Sequence, residues 1–430
     1  MHIYFSGIGG TGLGPLSLIA QQAGFTVSGS DKQSSKYIDY LQSKGLNIFI
    51  GQNNDENISL ANQKLKIDWF VYSSALPLEN PNHPEILYCK KNKIKATKRD
   101  DFLNFIIEQK NLKLIAIAGT HGKTTTTAMT VWALKQLNIP VSYSIGAKTN
   151  FSEMGDYNPD SKYFVYECDE FDRNFLSFKP YYSMITNVDW DHQEIYPTQQ
   201  IYDEAFKEFI NKSENILIRH KDASRLQLNN DKLVIIPDNY ENNSIKLPGA
   251  HNRQNASLVL KFLELEIKEK GNESHSFTEI LSSFPGTSRR FEKLDNNLFT
   301  DYAHTPEEIQ ATIQLAKEVS KNIVVVYEPL TNRRQHYCKE LYSDTFNGVK
   351  KLYWLPSYLA RENPSQKILT PEELIKYMSN PEIAQPSEKN SKLWENIKNH
   401  LSKGDLVIIL AGGGGGSLDE WARQQVAIGQ

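Results

Sequence analysis

The chain has 430 residues, 39% hydrophobic and 23% charged, the balance of an ordinary globular protein with length for two to four domains. Its formal net charge of −3 gives no electrostatic reason to expect nucleic acid or an anionic membrane as a partner, and no apolar run approaches the roughly 20 residues of a membrane span. Three scattered cysteines, Cys89, Cys168 and Cys338, form neither a disulfide framework nor a zinc pattern, so a reducing, cytoplasmic setting is expected.

From Met1 the chain runs directly into a strand, Ile3 to Ser6, with no leader segment expected. Gly7-Ile8-Gly9-Gly10-Thr11-Gly12-Leu13-Gly14 follows, then a helix from Pro15 to Ala23 and a second strand from Phe25 to Ser28, ending in Gly29-Ser30-Asp31. This reads as a βαβ unit. Its glycines suit a pyrophosphate on the helix N-terminus, with Asp31 near a ribose or another polar group. Alone, the fingerprint would suggest NAD. Trp69 to Leu76 is a further strand entering a small-residue loop at Ser73 and Ser74, a place where open sheets bind ligands. Lys90 to Arg99 reads as a solvated basic face. A boundary near Lys110 gives an N-terminal domain of residues 1–108.

Leu114 to Ala118 reads as a buried parallel strand, and Gly119-Thr120-His121-Gly122-Lys123-Thr124 interrupts it before apolar residues at helical spacing from Ala128 to Leu134. Strand, glycine turn and helix make a phosphate loop, although Ile117 stands where a full loop has its first glycine. Lys123 is expected to reach the β- and γ-phosphates and the Thr124 hydroxyl to ligate Mg²⁺. Next, Phe164 to Asp172 delivers Glu167, Asp169, Glu170 and Asp172 from a strand end. Such carboxylates repel unless a cation or basic group sits among them, and Mg²⁺ serving the nucleotide meets that need. Tyr182 to His192 is again strand then polar loop, with His192 a candidate metal ligand. Leu247 to Ala256 opens an apolar-periodic helix placing His251 and Asn255 on one face. The central domain is expected to span 109–293 and the last 294–430.

Together these stretches resemble the Mur ligases, the ATP-dependent amide-forming enzymes of peptidoglycan synthesis, over essentially the whole chain. Gly7-Ile8-Gly9-Gly10 and Ser28-Gly29-Ser30-Asp31 are similar to the start of the members that bind UDP-N-acetylmuramate. Gly119 to Thr127 resembles their Gly-Thr-His-Gly-Lys-Thr-Thr loop and Glu167-Cys168-Asp169-Glu170 their Glu-Ala-Asp-Glu. Thr186 to His192 resembles their Thr-Asn-x-x-x-Asp-His, and His251 to Asn255 the His-Asn-x-x-Asn stretch beside the adenine. Phe284 to Glu292 is similar to the junction into their third domain, where an arginine (Arg289 or Arg290) reaches ATP phosphates, and Asp301-Tyr302-Ala303-His304-Thr305-Pro306 resembles the signature opening it.

The resemblance implies an α/β protein of three domains: an N-terminal Rossmann-like UDP-binding domain, a central P-loop ATPase-type parallel sheet, and a C-terminal Rossmann-like domain. It implies UDP-N-acetylmuramate held by Gly7, Gly9, Gly10, Gly12, Ser30, Asp31, Ser73 and Ser74. ATP would be held by Gly119, Thr120, His121, Gly122, Lys123, Thr124, Thr125, His251, Asn255, Arg289 and Asp301, with two Mg²⁺ on Thr124, Glu167 and His192. The incoming amine, L-alanine or a short muropeptide, would meet Arg333 and Arg334, with His304 as a candidate base. The short gap from Asp172 to Leu176 resembles the members that add alanine. Glu328 to Arg334 and the run Gly412 to Gly416 look more like the recycling members that add a tripeptide. The expected chemistry is acyl phosphate formation assisted by Lys123, Glu167, His192 and Arg290, completed by domain closure that excludes water. A monomer or weak homodimer is expected. The rival readings are an NAD-dependent oxidoreductase and a binding protein that has lost the chemistry.

Overall fold

The computed structural model describes residues 1–430 except 194, 230, 239–243, 268–273, 361, 429 and 430. The chain divides into two compact units, Met1–Tyr240 with Asn255–Phe284, and Glu241–Gln254 with Pro285–Gln430. Three α/β sheets make up the architecture among the described residues, two in the first unit and one in the second.

The first sheet runs in the order Asn47–Ile50, Thr26–Asp31, His2–Ser6, Trp69–Tyr72, Lys95–Lys98, all parallel. Strand order reverses between His2–Ser6 and Trp69–Tyr72, so a crevice opens where Gly7 and Ser73 follow those strands. The second strand is longer than the sequence suggests: Gly29, Ser30 and Asp31 lie within it, and the helix Leu13–Gln22 begins two residues before Pro15.

The second sheet runs Leu233–Ile236, Asn215–Arg219, Tyr182–Ile185, Lys113–Ala118, Tyr163–Glu167, Val141–Ser144, Gly155–Asp156, the last antiparallel to its neighbour. Lys113–Ala118 is apolar throughout its buried length because helices and loops cover both faces of a parallel sheet. Its flanking strands are those ending in Glu167 and Ile185, so topology alone brings the phosphate loop, the acidic loop and the His192 loop to one edge. One hydrophobic core runs through both sheets of this unit, from Ile3 and Phe5 to Phe164 and Ile185. Polar contacts add to it: Gln22 bonds Asp156 at 2.8 Å and the Tyr157 N–H at 2.7 Å, and Asn104 donates to the Ser177 carbonyl at 2.7 Å.

In the second unit the sheet order is Glu292–Asp295, Leu298–Asp301, Leu406–Ala411, Ile323–Glu328, Lys351–Trp354, Ala384–Pro386, parallel except for the first strand. Its helix Pro306–Val319 starts at a capping box, Thr305 accepting from the Glu308 N–H, with Pro306 at the first turn. Apolar clusters cover both faces of this sheet.

Candidate functional site

Gly119 leaves the central strand at φ +138°, and a side chain there would collide with the Thr186 hydroxyl and stand 2.8 Å from the Asn187 carbonyl. This close approach lets the neighbouring loop brace the turn: Asn187 Oδ1 accepts the N–H groups of Thr120 at 3.1 Å and His121 at 2.9 Å. The Thr120 hydroxyl donates to the Asp189 carbonyl, and Thr186 Oγ1 donates to the His121 carbonyl at 2.6 Å. Gly122, at φ +80°, is the N-cap of the helix Lys123–Gln136 and offers no side-chain cap. The first N–H groups of such a helix have no partner within it, and its dipole adds positive potential, so this terminus is suited to an anion. Behind it Thr124 to Thr127 and Thr130 are all buried. Thr126, Thr127 and Thr130 each donate to the carbonyl four residues earlier, at 2.9, 2.9 and 2.8 Å.

Lys123 Nζ donates to the Gly119 carbonyl at 2.6 Å, the Thr120 carbonyl at 3.1 Å and Glu170 at 2.8 Å. Burial pulls against the ammonium, but Glu170 and Asp169 outweigh it and hold its pKa above the usual lysine value. Glu170 is 1% exposed; burial pushes its carboxyl up and Lys123 opposes that shift. His192 Nε2 lies 3.8 Å from Glu170 Oε1.

The acidic loop carries its own counter-charges. Lys98 pairs with Asp172, Lys123 with Glu170, and Arg99 Nη2 lies 4.0 Å from Asp169. Glu167 differs, because its partners are neutral donors: the Thr124 hydroxyl at 2.9 Å and the Gly146 N–H at 3.0 Å. A hydroxyl and a carboxylate oxygen at one helix terminus are hard ligands of the kind Mg²⁺ prefers, so the residues fit that ion. No group of three or more His, Cys, Asp or Glu suited to a metal occurs among the described residues.

At the first crevice, Asp31 Oδ2 accepts the Gly9 N–H at 2.8 Å, fixing the glycine loop to the second strand. Ser73 Oγ lies 3.8 Å from where a Gly7 Cβ would stand, and Ser74 precedes the helix Ala75–Glu79. Ser30 turns inward: its hydroxyl donates to Glu85 at 2.6 Å. Tyr4, Ser6 and Gln52 donate to the same carboxylate, and Glu85 is fully buried. Sequence reasoning missed Glu85, which no motif surrounds. It also assigned Arg99 to a solvated face, whereas its side chain is 24% exposed.

In the second unit, Arg289 donates to the carbonyls of Ala411 at 2.7 Å and Gly413 at 2.9 Å and pairs with Asp419 at 2.9 Å, which ties down the glycine run. Arg289 and Arg290 each lie 4.8 Å from the Tyr302 ring centre. Asp301 accepts the N–H groups of Phe291 at 2.7 Å and Ala303 at 2.8 Å, and burial pushes its carboxyl up. His304 Nδ1 stands 3.0 Å from the Tyr302 carbonyl and 3.1 Å from Glu308, and burial lowers its pKa. Gly412 lies against His304, while Arg333 and Arg334 open the helix Asn332–Cys338 after the strand Ile323–Glu328. His251 and Asn255 share the helix Ala250–Glu266, but the unit division falls between them. Burial pushes His251 down to about 4, and Asn255 backs Gly122.

Three family profiles match the chain: Mur ligase family, catalytic domain, over residues 2–111; Mur ligase middle domain over 117–236; and Mur ligase, glutamate ligase domain, over 289–413. A UDP-N-acetylmuramate–L-alanine ligase of Clostridium acetobutylicum is 30% identical, covering 96% of this chain and 95% of the relative. The crystal structure of a UDP-N-acetylmuramate–alanine ligase from Thermotoga maritima superposes with a TM-score of 0.71 at 22% identity, covering 100% of this chain and 98% of the other. A murein peptide ligase from Psychrobacter arcticus gives 0.63 at 22% identity, with coverage of 100% and 98%.

Proposed function

The chain belongs to the Mur ligase family, and we propose that it uses ATP to join L-alanine to the lactyl carboxylate of UDP-N-acetylmuramate for peptidoglycan synthesis. A phosphate loop in a chain collinear with alanine-adding relatives carries this reading. We assign 1–108 to the sugar nucleotide, 109–293 to ATP and 294–430 to the amino acid.

An amide forms from a carboxylate only once its oxygen becomes a leaving group. In this reading the sugar's carboxylate attacks the γ-phosphate of ATP, ADP departs, and the amine attacks the acyl phosphate carbonyl, releasing phosphate. The Lys123 ammonium, fixed by two loop carbonyls and Glu170, faces the charge that develops on the transferring phosphoryl group. Mg²⁺ held by Thr124, Glu167 and His192 would supply further neutralisation of that charge. Gly7, Gly9, Gly10 and Gly12 hold the diphosphate of the sugar nucleotide at the crevice, with Asp31 fixing the loop. In the second unit His304, Arg333 and Arg334 receive the amino acid, and the neutral imidazole favoured by burial is the form that accepts a proton.

The test is ADP release with UDP-N-acetylmuramate and Mg²⁺, comparing L-alanine, L-serine, glycine and the L-alanyl-γ-D-glutamyl tripeptide. L-alanine is expected to give the highest kcat/KM. Turnover confined to the tripeptide would transfer the chain to the recycling reaction, which the sequence from Glu328 to Arg334 favours. No ADP with any acceptor would remove the ligase assignment.

A further inference from the structure

Arg99 follows the edge strand Lys95–Lys98 of the first sheet and opens the helix Arg99–Gln109. Its guanidinium packs on Gly12, the last residue before the helix Leu13–Gln22; a Cβ at Gly12 would collide with Arg99 Nη1. On its other side it faces the second sheet, where Asp169 lies 4.0 Å away. The next residue, Glu170, is the one that holds Lys123. Arg99 therefore lies between the glycine loop and the loop that positions the phosphate-binding lysine.

Its carboxylate neighbours favour the cation but do not close on it. Asp100 stands 3.4 Å from Nε and Asp169 4.0 Å from Nη2, both beyond the roughly 2.7–2.9 Å of a charge-assisted hydrogen bond. Burial pushes the Asp100 carboxyl up to about 6, still ionised at neutral pH, so with Asp169 it favours the charged guanidinium without gripping its fork. A guanidinium presents five donors in a rigid fork that fits a carboxylate bidentately, and three-quarters of this one is out of water. The reacting carboxylate must lie between the loop that carries the sugar nucleotide and Lys123. We propose that Arg99 is a substrate-binding residue whose guanidinium takes the carboxylate of the nucleotide sugar and presents it toward Lys123. The proposal rests on the ligase reading above and names the group that selects the acid-bearing sugar.

The test uses the full chain titrated with UDP-N-acetylmuramate and with UDP-N-acetylglucosamine, which has the same diphosphate and lacks the lactyl carboxylate. Wild type is expected to bind the acid sugar more tightly. Arg99→Gln is expected to lose about ten- to hundredfold in affinity for it, the size of a hydrogen bond to a charged group, with less than about threefold change for UDP-N-acetylglucosamine or ATP. Arg99→Lys, which keeps the charge and loses the fork, falls between, again only for the acid sugar. Lys98→Ala breaks the neighbouring pair with Asp172 and leaves the discrimination intact. Equal losses for both sugars mean that Arg99 holds the diphosphate or merely the fold, and no loss for either means that it touches neither; each overturns the proposal. A wild-type chain with no preference between the sugars and no ADP release removes the ligase reading itself, and this proposal with it.

Discussion

Replacing Lys123 with alanine is predicted to destabilise the chain as well as silence it. Glu170 is 1% exposed and the lysine side chain 13%, so the pair is buried. Removing one member of such a pair leaves an uncompensated charge and costs about 3–5 kcal/mol. For a unit of this size that is a fall in Tm on the order of 10 °C. The pH dependence gives the cause away. Without the ammonium, burial leaves the Glu170 pKa raised in the fold, while the unfolded chain releases that proton near pH 4.3, to within about a unit. The folded variant then binds more protons than the unfolded chain above that pH, so its stability falls as pH rises. Thermal unfolding at pH 5 and pH 7 should show the smaller deficit at pH 5. Lys123→Ala with Glu170→Gln should recover most of the loss at pH 7, with ADP release still absent. A deficit equal at both pH values, or no recovery in the double variant, would refute the reasoning.

Glu167→Ala removes a carboxylate that accepts from Thr124 and Gly146; the Mg²⁺ titration of ADP release should shift at least about tenfold upward, with UDP-sugar affinity unchanged in calorimetry. Glu85→Ala leaves the hydroxyls of Tyr4, Ser6 and Ser30 without their shared acceptor, and denaturant unfolding should show a loss of about 3 kcal/mol. His251, at about 4 in the fold, should show an NMR titration midpoint near that value. Because the fold lowers its pKa, its contribution to stability is present above about pH 6.5 and lost as pH falls through about 4.

The elements that adjacent residues define were legible in the sequence. Gly119 to Lys123 between an apolar strand and a helical pattern, and the strand-then-polar-loop units ending at Glu167 and His192, announce a parallel sheet with its chemistry at one edge. What stayed hidden was pairing over distance. Arg99 and Asp169, or Ser30 and Glu85, are 70 and 55 positions apart; Arg99 read as part of a solvated face, and no motif drew attention to Glu85. Ser30 looked like a ligand contact because it sits in a glycine-rich stretch, yet strand alternation turns it inward onto a buried acid. The acidic loop was expected to hold a cation or basic group, with Mg²⁺ the simplest choice; Lys98, Arg99 and Lys123, none adjacent to it in the chain, supply part of that balance.

The threonines behind the phosphate loop carry a lesson for altering this chain. Their hydroxyls spend their donors on the preceding turn, so a tract that hydropathy scores as wettable presents its neighbours with methyl groups. Valine at 126 or 130 would keep the contour and give up one internal contact. A bulkier or charged replacement would have nowhere to go, because the first turns of the rod that carries the cradle, Thr124 to Val131, are buried throughout.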